Sequence, residues 1–225
     1  MTRSEKTSRA TSRRHARRGK HPSSTRTALV TCATEIFADH GYAGTSLDEV
    51  VAAAQVTKGA LYHHYSGKQA LFEAVFEDLQ EQAVSQIRSE IKRERDPWDR
   101  AAVGVRAFMN VCAEPHFRRI VMQEAPVALG YERFREADER HTYGLVRGIV
   151  AKVLEPQDVP ESIVETFTRV FYGATSAAGM SVALSDDPEA AGREVETVIG
   201  IVLAGLRQLA ESGVTFEEVD LTSPS

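Results

Sequence analysis

Lys58, Tyr62, His63 and His64 stand together in the segment TKGALYHHY, residues 57–65. Wound into a helix, this segment turns Ala60, Leu61 and Tyr65 to one side and leaves Lys58, Gly59, Tyr62, His63 and His64 on the other. The outward set suits the edges of a nucleic-acid duplex. A lysine reaches a guanine edge or a phosphate oxygen. Tyrosine and histidine donate to phosphates or pack on a thymine methyl, and small Gly59 and Ala60 let the backbone come close to the bases. The same residues do not suit catalysis. Adjacent His63 and His64 diverge by about 100° around a helix and make poor joint metal ligands. The chain also has no G-x-S-x-G elbow, P-loop, dinucleotide-binding glycine fingerprint or H-E-x-x-H. No catalytic residue, metal site or cofactor is expected, and the chain reads as a non-enzyme.

The elements that must hold this face are legible on either side of it. Thr45 and Ser46 are N-cap types followed three positions later by Asp48 and Glu49, a capping box. Leu47, Val50, Val51 and Ala54 then recur at helical spacing. Thr57 caps the next helix, and Val56 is placed to plug the angle between the two. Ser66, with Gln69 three residues on, predicts a further cap. Two short helices joined by three or four residues form a helix-turn-helix. Lys68 falls in the first turn of the following helix, where a cation opposes the helix dipole. A phosphate partner is the expected reason for it. Arg26 and Thr27, near the start of the preceding helix, are also placed to meet a phosphate, and Thr45, Ser46 and Thr57, at the starts of the two short helices, are expected DNA contacts as well.

From about Thr25 through Phe76 the chain resembles the TetR family of bacterial transcriptional repressors, on TSLDEVV, TKGALYHHY and GKQALF. Gln55 departs from that pattern, standing where the family usually has glycine in the turn. The resemblance implies a homodimer, a ligand pocket in the C-terminal region, and a long helix after Ser66 that carries ligand-induced movement to the DNA-binding head.

The whole chain has 225 residues, 42% hydrophobic and 26% charged, and a net charge of −5. That length accommodates a small module and a larger helical domain. No apolar run reaches the roughly 18–20 residues of a membrane span, so no membrane partner and a cytoplasmic location are expected. Cys32 and Cys112 read as separate buried thiols. Residues 1–22 carry eight Lys and Arg against one acid, a net of +7, which leaves −12 for the rest. This segment predicts a disordered basic arm, with Arg13, Arg14, Arg17 and Arg18 tracking phosphates or entering a minor groove.

After the arm, periodicity predicts a helix over residues 23–40, ended by Gly41, then the helix-turn-helix, and a helix of about 25 residues from Ser66 to Ile91. Helices follow over 98–112, 114–124 (ended by Pro126), 131–154, 161–184 and from 188 onward. The fold class is all-α: a three-helix DNA-binding head over 23–70, a helical ligand-binding and dimerisation domain over 71–215, and a flexible tail over 216–225. Small residues in 161–184 and an over-wide apolar surface in 188–211 predict a dimer bundle built from both. Trp98, Phe108, Met109, Cys112, Phe117, Met122, Tyr131, Phe134, His141, Tyr143, Phe167 and Phe171 are candidate pocket residues, because large and adaptable side chains on packed helices can leave an apolar cavity.

The expected function is a homodimeric repressor released from a palindromic double-stranded DNA operator by a small, mostly apolar effector. A ligand-insensitive architectural DNA binder and an all-α carrier or enzyme are the alternatives.

Overall fold

A computed structural model describes residues 22–212, all helix, turn and loop with no strand among the described residues. The basic arm with Arg13, Arg14, Arg17 and Arg18, and the tail over 216–225, lie outside the described residues.

The first helix, α1 (Pro22–Gly44), presents Leu29, Ala33 and Phe37 as a fully buried stripe. Gly41 breaks it, as the sequence predicts, with φ 70° and ψ 172°, a conformation that glycine reaches without the Cβ clash other residues meet. A Cβ there would also lie 2.8 Å from Glu124 Oε1, so that carboxylate would have to shift. Two short helices follow, α2 (Leu47–Ala53) and α3 (Lys58–His64). Val50, Ala54, Leu61 and Tyr65 are buried against the α1 stripe.

Helix α4 (Lys68–Ile91) seats the head on the rest of the molecule. Its N-cap is Gly67, with no side-chain cap bond, so the capping box expected at Ser66 does not form. Phe72 of α4 meets Phe37 edge-to-face at 5.0 Å and Tyr42 at 5.1 Å. Burial of this size is worth about 3–5 kcal/mol for a phenylalanine by truncation to alanine. Farther along, Val75, Phe76, Leu79, Ala83 and Ile87 carry the same buried stripe into the second domain.

Next comes α5 (Pro97–Ala113), started by Asp96, whose Oδ1 accepts the N–H groups of Trp98 at 2.9 Å and Asp99 at 3.0 Å. Residues Phe117–Glu124 wind as a π-helix and run straight into α6 (Ala125–Ala128). Pro126, expected to end the helix, stands inside this continuation, in its first turn, where a missing N–H costs least. Helices α7 (Tyr131–Leu154), α8 (Glu161–Leu184) and α9 (Pro188–Glu211) complete the chain. No helix among the described residues is long and apolar enough to cross a membrane.

The π-helical stretch also touches the head. Glu124 Oε2 accepts the Tyr42 N–H at 3.2 Å, just beyond the Gly41 break, while its other oxygen pairs with Arg119 at 2.9 Å. His116 reaches Glu35 of α1 at 3.1 Å. Two routes therefore tie head to body: the continuous helix α4 and this polar clip.

Candidate nucleic-acid interface and effector cavity

Local bonds fix the helix-turn-helix. The Ser46 hydroxyl accepts the Glu49 N–H at 3.2 Å and the Thr57 hydroxyl accepts the Ala60 N–H at 3.1 Å, so both predicted caps form. In the turn, Val56 N–H donates to the Val51 carbonyl at 3.2 Å. Gln55 has φ 53°, so the position expected to need glycine does take the left-handed conformation. A side chain there costs on the order of 1 kcal/mol.

On this frame Lys58, Gly59, Tyr62 and His63 are exposed, and Tyr62 keeps 50% of its surface open. His64 is half-buried, its ring 5.3 Å from that of His63. Ala60 is half-buried beside Leu61, consistent with its inward direction. Lys58 Nζ lies 2.7 Å from Asp48 Oδ1, bridging α3 to α2 across solvent. The hydrogen bond and charge of Asp48 hold the lysine more firmly protonated than usual. Arg26 and Thr27 are exposed on α1, and the nearby Tyr65 hydroxyl makes the Arg26 guanidinium harder still to deprotonate.

Two of the expected contacts are turned inward. Thr45 is only 3% exposed; its hydroxyl donates to the Gly41 carbonyl at 2.8 Å and also reaches the Ile36 carbonyl at 3.3 Å. Lys68, assigned from the sequence to a phosphate, donates instead to the carbonyls of Tyr42 (2.7 Å), Thr45 (3.0 Å) and Ala43 (3.3 Å). Its ammonium also stands 4.7 Å from the centre of the Tyr42 ring. The break at Gly41 leaves carbonyls without helical partners, and Lys68 satisfies them.

A cavity of about 110 Å³ lies among α4, α5, α7, α8 and α9. Of the expected pocket residues, Trp98, Phe108, Phe167 and Phe171 line it. The others do not. Met109, Cys112, Phe117 and Met122 are solid core, and burial pushes the Cys112 thiol well up. Phe134 packs on Phe76 at 6.0 Å. His141 pairs with Glu77, the Tyr143 hydroxyl donates to Glu165 at 2.9 Å, and Tyr131 is 68% exposed. Sequence reasoning missed Thr142, Tyr172, Thr175 and Ser176 on the wall. Hydroxyl side chains on otherwise apolar stripes are the signal that could have found them.

Known families meet this geometry at both ends of the chain. Residues 29–75 match the family described as bacterial regulatory proteins, tetR family, and residues 98–206 match the tetracyclin repressor-like C-terminal domain. The chain belongs to the TetR family. It is similar to the TetC protein of transposon Tn10 from Escherichia coli, 27% identical over 135 residues, covering 59% of this chain and 66% of that protein. An HTH-type transcriptional activator, FasR, from Mycolicibacterium smegmatis is 34% identical over 82 residues, 36% of this chain and 37% of that one. The matched segments thus span less than two thirds of these relatives. The fold likeness reaches further. A TetR-family regulator structure from Pectobacterium atrosepticum superposes with a TM-score of 0.70 at 26% identity, covering 82% of this chain and 95% of that one. This TetR-family chain is therefore a transcriptional regulator with an N-terminal helix-turn-helix.

Proposed function

We propose that this regulator is a homodimeric repressor that places the exposed face of α3 in the major groove of a palindromic operator and leaves it when a small, mostly apolar effector fills the cavity. The observation that carries the reading is the α3 face itself. Lys58, Gly59, Tyr62 and His63 are exposed on a short helix whose other side, Leu61, is fully buried. Such a helix is rigid enough to present fixed groups to base edges. Arg26 and Thr27 flank it for phosphate contacts, with Ser46 at the start of α2 and His64 at the end of α3. The basic arm adds affinity through counterion release.

A second copy is called for by α8 and α9. Val170 and Leu184 of α8 and Val198, Ile201 and Val202 of α9 are all exposed, and the α8 face between them carries exposed Gly173, Ala174 and Ala177. A large apolar surface with a small-residue seam suits a two-fold four-helix bundle. Two-fold symmetry then demands a palindromic site. The effector acts by binding one head separation better than the other. It changes operator affinity by the ratio of those two affinities, commonly about 5–150-fold. Such a regulator works in the cytoplasm, where its operator is.

Selection of random double-stranded DNA on the purified full chain tests the reading. Enrichment of a palindrome with half-sites about one helical turn apart is the expected result. Recovery of DNA without any motif defeats sequence-specific readout. In parallel, Ile201→Glu should convert a dimer into monomers in sedimentation; an unchanged mass removes α8 and α9 from the interface.

A further inference from the structure

The polar groups of the cavity wall share one property. Thr142 of α7 and Tyr172, Thr175 and Ser176 of α8 supply its hydroxyls, and no charged side chain lines it. Three of the four have their hydrogen committed to the protein. Thr142 donates to the Asp138 carbonyl at 2.8 Å, Thr175 to the Phe171 carbonyl at 2.8 Å, and Tyr172 to Asp138 Oδ2 at 2.6 Å. Ser176 stands beside the Tyr172 hydroxyl.

These directions are forced for the first three, since carbonyl and carboxylate oxygens only accept. A hydroxyl has one hydrogen and two lone pairs, so these three have lone pairs left to offer and no hydrogen. One layer behind, fully buried Gln80 donates its Nε2 to Asp138 Oδ1 at 2.8 Å and leaves its Oε1 buried without a partner. That group, too, is an acceptor. The indole N–H of Trp98 belongs to the other end of the cavity. Trp98 precedes Phe108 by ten residues of α5, about 15 Å of helix. Phe108, with Cys112, abuts Gly179, one helical turn beyond Ser176 on α8.

We infer that the cavity takes an uncharged apolar molecule carrying a hydroxyl donor, an alcohol or a phenol, with that hydroxyl directed to the Thr142–Tyr172–Ser176 end. An aldehyde or ketone of the same shape brings lone pairs to lone pairs and loses a hydrogen bond on both sides. A carboxylate has no cation to meet and is costly to desolvate. The inference rests on the cavity being the effector site. An enclosed apolar cavity of about 150 Å³ holds benzene; this one is smaller but open on one side, so a single ring enters with its far substituent in the mouth.

The test is calorimetric titration of the full chain with 4-methylbenzyl alcohol, 4-methylbenzaldehyde, 4-methylbenzoate and p-xylene, which share a ring and nearly the same volume. The alcohol should bind about tenfold or more tightly than the aldehyde, the size of one well-made hydrogen bond, and the benzoate should not bind. Tyr172→Phe, and separately Ser176→Ala, should narrow the alcohol-to-aldehyde ratio while p-xylene binds each variant as it binds the parent. An aldehyde as tight as the alcohol, a benzoate that binds best, or a ratio unmoved in both variants overturns the donor requirement and leaves the cavity a ligand site. No heat from any probe, p-xylene included, removes the effector site and the donor requirement together.

Discussion

Lys58 and Lys68 each open a helix of the head, α3 and α4, and the structure employs them in opposite ways. Lys58 reaches across solvent to Asp48, an exposed partner from which DNA can take it. Lys68 is held by three backbone carbonyls and an aromatic ring. The same side chain is thus exposed in one first turn, where we propose that it reads DNA, and a brace in the next. What differs is the neighbour: an exposed carboxylate contributes little to stability, whereas unsatisfied carbonyls beside a broken helix must be met.

Substitutions can break or sharpen this contrast. The largest effect is expected for Lys68→Ala, which should lower stability by roughly 1–3 kcal/mol in a denaturant titration. Unchanged stability with weaker operator binding would make Lys68 a phosphate contact after all. Lys58→Ala should do the reverse, reducing operator affinity about tenfold, as expected for loss of a base or phosphate contact, with an unchanged melting temperature. Operator binding equal to the parent would take Lys58 off the recognition face; Tyr62→Ala serves as the independent check.

A smaller effect belongs to the clip between head and body. Glu124→Gln keeps an acceptor for the Tyr42 N–H but loses the charge facing Arg119, and should cost about 1 kcal/mol or less. Its informative readout is effector-induced release of operator, which should weaken if the clip carries coupling in addition to α4. Smallest of all, Gln55→Gly should relieve the positive φ in the turn and stabilise the head by up to about 1 kcal/mol. Because glycine also loosens the unfolded chain, a gain of only a few tenths is compatible with relief. A loss would show that the Gln55 side chain makes a contact worth more than its strain.

The sequence by itself determined most of the elements and two of the three caps expected around the helix-turn-helix. Helices α7 and α8 run over the residues that apolar spacing predicts, 131–154 and 161–184, because side-chain periodicity is a local property of the chain. Ser46 and Thr57 cap where they should for the same reason, each acting on an N–H three residues away. The exposed face of α3 was legible too, since Leu61 and Tyr65 fix which side goes in.

Only the tertiary structure decided the rest. Nothing near Lys68 in sequence shows that it will meet carbonyls 23–26 residues earlier; the break at Gly41 puts them there. The cavity was equally illegible residue by residue. Met109 and Cys112 sit on the same helix as Phe108, yet they fill core while Phe108 faces open space. Which of two neighbouring apolar side chains lines a void depends on how five helices fail to interdigitate, and that is settled by distances between helices, not by spacing within one.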